Sequence, residues 1–289
     1  METETTGLLG SNAEGMAKGR ADDRNAKSEF LLLSFCFAGV RSSSMIGLFY
    51  ASSIFSITLG SYSLSAYYWW FSLTCLLISA PMVEWMGSLN AIVLSQVTMT
   101  MYLLSYAVGA LGVVADNETA QWTIVILGSC IGGFSSGLGW TAQGVYFSLS
   151  AKQHAKEVGV SASEANDTFA GYWASIYFGG QCALYVVASL LFEFTGFDYV
   201  DCFFTLASGA TLATMLTYLW TVAPQGEDEL VSHGSTWQQA TATMRLTFLD
   251  PTAILLQPLN IAYGFALVFV QIIVSQKAVD NHLGTFAVG

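Results

Sequence analysis

Six residues of one apolar stretch, Gly132, Ser136, Gly139, Gln143, Tyr146 and Ser150, recur at spacings of four, three, four, three and four. At 100° per residue they share one helix face. Hydroxyl, amide and phenol groups on such a face do hydrogen-bond chemistry, and they are too costly to leave against lipid. A second stripe, Gly133, Gly137 and Gly144, lacks side chains and predicts close approach of a neighbouring helix. Elsewhere Tyr177, Gln181 and Tyr185 stand at i, i+4 and i+8, while Gln257, Asn260, Tyr263 and Gln271 dot another apolar run beside Pro258. Arg41 stands alone in the first run. Two readings follow from the residues. Gln143 is either interhelical glue or part of one wall of a polar interior to which Arg41, Ser136, Tyr146, Tyr177, Gln181, Gln257 and Tyr263 also contribute.

Catalytic chemistry has no such support. No Ser-His-Asp or Cys-His set, paired carboxylates or phosphate-cradling loop is placed where it could act, so catalytic, metal and cofactor residues are all assigned as none. His154, His233 and His282 fall in separate connections and read as solvated. Cys36, Cys75, Cys130, Cys182 and Cys202 lie in or beside apolar runs without a CxxC and read as small apolar residues.

The elements that position these groups are membrane helices. Hydrophobic residues make up 54% of the chain and charged ones 10%, which excludes an ordinary soluble domain. Between Phe30 and Ala151 the acids and bases are Arg41, Glu84, Asp116 and Glu118 alone. Apolar runs place seven spans at about 29–53, 64–85, 88–113, 121–150, 168–193, 199–223 and 251–275. A break at Arg41 would leave a dozen apolar residues, roughly 18 Å of helix, too short for a core of about 30 Å. One long span keeps Arg41 near mid-membrane at a cost of ~3 kcal/mol on insertion scales.

The basic residues set the orientation. With seven spans and a cytosolic N-terminus, Lys18, Arg20, Arg24, Lys27, Lys152, Lys156 and Arg245 lie inside and Lys277 outside, as the positive-inside tendency requires. Asn117, in the sequon "NET", is then a lumenal glycosylation site, and Asn166, in "NDT", is cytosolic. Residues 1–28 form a polar cytosolic tail whose "ETTGLL" fits an acidic dileucine sorting signal through Glu4, Leu8 and Leu9. The net charge of −11 argues against nucleic acid, which needs a basic patch.

The stretch "GLGWTAQGVYFS", Gly137 to Ser148, resembles the fourth-span signature of the Unc-93-like family, a branch of the major facilitator superfamily. "LGSYSLSAYYWWFSLTCLLISAPMVEWMGSLNAIVL", "FAGYWASIYFGGQCALYVVASLL" and "LLQPLNIAYGFALVF" are similar to that family's second, fifth and seventh spans. The turn after the second span departs from the pattern, offering Glu84 where the superfamily carries basic residues. Ala266 and Leu267 likewise replace the polar or acidic residue expected after Tyr263-Gly264.

The resemblance implies an all-α membrane bundle. Residues 29–223 would be a six-span N-terminal facilitator half, 224–250 a cytosolic linker, and 251–289 a seventh span opening a second, truncated half. It implies a non-enzymatic plasma-membrane or endolysosomal protein. Such a protein would regulate or escort another membrane protein, such as an ion channel or receptor, or pair with a second half-transporter chain. Transport of a solute or ion through a polar cavity is the other function that the resemblance implies.

Overall fold

A computed structural model describes residues 25–195, 198–226, 245 and 248–269. The regular elements among them are helices: α1 Ala26–Ile54, α2 Ile57–Leu73, a π-helical turn Thr74–Ile78, α3 Ser79–Met86, α4 Ser88–Ala110, α5 Gly112–Ala115, α6 Glu118–Val158, α7 Ala162–Thr195, α8 Tyr199–Trp220 and α9 Pro251–Phe269. Six stretches among the described residues are long and apolar enough to cross a membrane, with α2 to α3 counted as one. The seventh predicted span, 251–275, is not among these six; its residues Pro251–Phe269 form helix α9, and 270–275 lie outside the described residues.

Local chemistry sets the boundaries. Asn25, Ser56, Asn117, Ser161 and Asp198 each accept a backbone N–H in the first turn of the helix that follows. Asp250 does the same twice for α9, at 2.9 and 3.0 Å, which satisfies donors that the helix itself leaves orphaned. Gly159, at φ +76, closes α6 in the left-handed conformation, and Gly87, at φ +83, turns α3 into α4. Both φ values suit glycine, which has no Cβ to clash. The π turn ends just before Pro81, whose ring would clash with the carbonyl of Leu77 in a regular helix.

Three predicted boundaries are corrected. The helix of the second span begins at Ile57 rather than 64, and its serines are accommodated by bonds within the helix that lower their desolvation cost: Ser63 and Ser65 donate to the carbonyls of Gly60 and Ser61. The predicted connection 151–167 shrinks to Gly159–Ser161, since α6 runs on to Val158 and α7 starts at Ala162. His154 is therefore a helical residue packed on Phe169, with ring centroids 5.2 Å apart, rather than a solvated loop residue. The polar tail also ends earlier, as Ala26, Lys27 and Ser28 form the first turn of α1.

Helix α1 is the axis of the bundle, packing against α2, α4, α6, α7 and α8. Of its most apolar stretch 72% is buried, against 11% for α7. Two clusters fill the interior. One joins Leu48, Tyr67, Tyr102, Tyr106, Phe203 and neighbours; the other joins Phe30, Phe37, Leu138, Tyr146 and Phe169. The ends of the helices sort into two faces. Ala26 N–H donates to Glu157, Lys27 Nζ to Tyr172 Oη, Val222 N–H to Glu29 and Gln225 N–H to Gln153. The starts of α1 and α7 and the ends of α6 and α8 thus share one face. The opposite end holds Phe55 against Tyr106, Tyr50 against Tyr199, and Gln121 donating to the Gly109 carbonyl.

Candidate functional site

Arg41 sits midway along the unbroken 29-residue helix α1 and is 2% exposed. Its Nη1 donates to Ser136 Oγ at 2.8 Å, and its Nη2 to the Ser135 carbonyl at 2.9 Å and Ser95 Oγ at 3.3 Å. Tyr67 Oη hydrogen-bonds Ser136 Oγ in turn, and Ser135 Oγ donates to the Ser95 carbonyl at 2.5 Å. The guanidinium also lies over the Phe37 ring, 5.0 Å from its centroid. Helices α1, α2, α4 and α6 therefore meet at one polar knot inside an apolar body.

Glycine makes the room. A Cβ on Gly139 would overlap Arg41 Nη2 and lie 2.5 Å from Ser95 Oγ and 3.0 Å from Arg41 Cζ. The Gly132, Ser136, Gly139 face of α6 is thus the surface on which the arginine is solvated by protein. Every partner of Arg41 is neutral. The ion pair found among the described residues is His154 with Glu157, at 3.9 Å. A buried cation without a counter-charge costs several kcal/mol in general, of order 3–5 when a partner is removed.

The remaining stripe runs toward the face that holds the N-terminus of α1. Gln143 is buried, and Tyr146 is buried with its hydroxyl donating to the Val222 carbonyl at 3.0 Å. Tyr146 and Ser150 line a small open depression with Glu29, Gln153 and Val222. Tyr177 is buried in an aromatic stack, 5.4 Å from Trp140 and 5.5 Å from Trp173 by ring centroid. Arg41, Ser136, Gln143, Tyr146 and Tyr177 thus point into the packed six-helix body, and Arg41 and Ser136 reach one another directly.

Gln181 and Gln257 take other places. Gln181 is half-buried and spends its amide N–H on Tyr185 Oη, 2.9 Å away on its own helix. Gln257 is half-buried on α9. Tyr263 lies on α9, and its side chain is outside the described residues, as are Glu4, Leu8 and Leu9. Asn117 caps α6 at an exposed position, accepting from Ala120 N–H at 3.2 Å.

The glycine stripe divides. A Cβ on Gly133 would lie 2.9 Å from Phe71 N and Trp70 Cβ, and one on Gly137 would lie 2.7 Å from Thr74 Cβ and 3.0 Å from the Phe71 carbonyl oxygen. Both press on α2 and its π turn. Gly144 is exposed, with no atom within 4 Å of where its Cβ would stand, so, against expectation, it packs on no helix among the described residues.

Sequence reasoning passed over Ser95, Ser135 and Tyr67, the other members of the knot, and Gln96, the residue after Ser95 on α4. Gln96 is 1% exposed, with neither amide atom hydrogen-bonded. An isolated buried Gln in a span such as 88–113 was the available signal, because polar side chains at that depth require partners. Comparison of the chain with protein-family models, with curated proteins and with solved structures finds no match in any of the three.

Proposed function

We propose that this chain is an Unc-93-like, non-enzymatic multi-pass membrane protein of facilitator-type architecture that binds and regulates or escorts another membrane protein, such as an ion channel or receptor. The carrying observation is where the polar groups are spent. Arg41, Ser95, Ser135, Ser136 and Tyr67 satisfy one another inside the six-helix body, whereas a transporter presents such groups to water and substrate. Helix α7 supports the same reading from outside. It is the least buried of the six spans, and no atom comes within 4 Å of a Cβ on Gly171 or Gly179. Small residues on an open membrane face favour close approach of another helix.

The test places a photo-crosslinking residue at Gly179 in cells, with Gly144 as a second exposed position on another helix. A defined, stoichiometric membrane-protein adduct from Gly179 whose partner is mislocalised when this chain is depleted supports the reading. Saturable solute uptake by the purified chain alone in liposomes overturns it. That outcome would select the facilitator-type transporter, for which the depression beside Tyr146 and Ser150 is the supporting observation.

A further inference from the structure

We propose that Arg41 is the seat of a small monovalent anion, of halide size, bound inside the six-helix body; this goes beyond the accessory role and does not depend on it. An arginine side chain keeps its charge at any depth. This one is 98% buried, since its exposure is 2%, and no carboxylate pairs with it among the described residues. The nearest acid in sequence, Glu29, stands twelve residues away in the first turn of the same helix, where it accepts from Val222 N–H, and Glu84, Asp116 and Glu118 stand at or between helix ends. The positive charge is held by two serine hydroxyls and a carbonyl, which offer dipoles but no neutralising charge.

The surroundings suit an anion. Ser95, Ser136 and Tyr67 carry hydroxyls, and each hydroxyl can turn from accepting to donating at little cost. Ser136 Oγ links Arg41 Nη1 to Tyr67 Oη, so an anion that takes the place of these direct bonds meets donors from α1, α2 and α6 together. Ser95 now donates to the Ile92 carbonyl of its own helix at 2.9 Å; that helical carbonyl keeps its main-chain bond if the hydroxyl swings away. The glycine at 139 admits the guanidinium on one side, and the Phe37 ring closes the other. Size and charge follow from the site. Neutralising one cation takes one negative charge, and a knot this enclosed admits only an ion small enough to pass by rotation of side chains.

The experiment uses the full chain in lipid nanodiscs, first equilibrated in potassium gluconate. Potassium chloride is then titrated in at constant ionic strength while the thermal unfolding midpoint is read. The expected result is a saturable rise of about 3–6 °C at tenfold excess over the dissociation constant, matched by bromide and absent with sulfate. Arg41→Lys should keep the dependence with weaker affinity, and Arg41→Met should abolish it. A midpoint indifferent to chloride overturns the proposal, as does an unsaturable rise of equal size in Arg41→Met. Should Arg41→Met fail to fold, equilibrium dialysis of radiolabelled chloride against the unmodified chain decides. A single saturable class of bound ion supports the site, and none overturns it.

Discussion

At the scale of single residues, three glycines on α6 have separate fates, and substitution by Ala distinguishes them. At Gly139 an added methyl displaces Arg41 Nη2 and Ser95 Oγ, so Gly139→Ala should destabilise by about 2–4 kcal/mol, overpacking and a disturbed buried charge acting together. Gly137→Ala meets Thr74 and the Phe71 carbonyl oxygen and should cost about 1–3 kcal/mol, with Gly137→Leu worse. Gly144→Ala meets nothing and should stabilise by up to ~1 kcal/mol through helix propensity. Unfolding midpoints of the three variants in one lipid environment check the order, and equal effects would refute it. The sequence made the glycine stripe legible as a pattern, because spacing alone assigns a face. It could not show where along that face the neighbour departs. Nor could it show that Gly139, grouped with the polar stripe, is the position that admits the arginine, since that depends on Arg41 arriving from α1.

Elements behave differently, and their ends carry most of what spacing missed. Helix α6 has 41 residues, roughly 60 Å at about 1.5 Å each, twice the hydrocarbon thickness. Its existence was plain from the apolar run, but hydropathy marks only the part inside lipid, so the turns holding Lys152, Lys156 and Glu157 read as a loop. The π turn ahead of Pro81 is likewise invisible to periodicity, since one extra residue per turn is smaller than the scatter of an apolar pattern. At the far end of α8, the segment Thr221–Gln225 is tied down by Glu29, Tyr146 and Gln153. Tyr146→Phe removes the hydroxyl that bonds the Val222 carbonyl and should cost about 0.5–1.5 kcal/mol. Glu29→Ala leaves the Val222 N–H without its acceptor, and exchange of that amide should accelerate by about tenfold or more for a loss of 1.4 kcal/mol. Hydrogen exchange resolved to residues 221–226 is the measurement. Unchanged protection in both variants would mean that the segment is held by packing alone.

For the whole molecule the decisive property is which helix ends lie together. The structure joins the starts of α1 and α7 with the ends of α6 and α8 through Ala26–Glu157, Lys27–Tyr172, Glu29–Val222 and Gln153–Gln225. Asn166, one turn into α7, belongs to that face, and Asn117, at the start of α6, belongs to the opposite one. The two sequons therefore cannot both be lumenal in a bundle that crosses the membrane by these six helices. Basic residues sharpen the choice: Lys27, Lys152 and Lys156 stand with Asn166, while Asp116 and Glu118 flank Asn117. The positive-inside tendency puts the lysine face in the cytosol, which is the orientation we propose. In eukaryotic cells a glycosidase-sensitive gel shift, if present, should then vanish in Asn117→Gln and persist in Asn166→Gln. Asn117 is a poor acceptor even when lumenal, because it lies at the helix start with its side-chain oxygen engaged by Ala120 N–H. A sequon inserted between Val113 and Asn117 on a short flexible linker supplies an accessible reporter of the same face. Modification of that reporter supports the orientation, and a shift that depends on Asn166 inverts it and carries the N-terminus to the other side of the membrane.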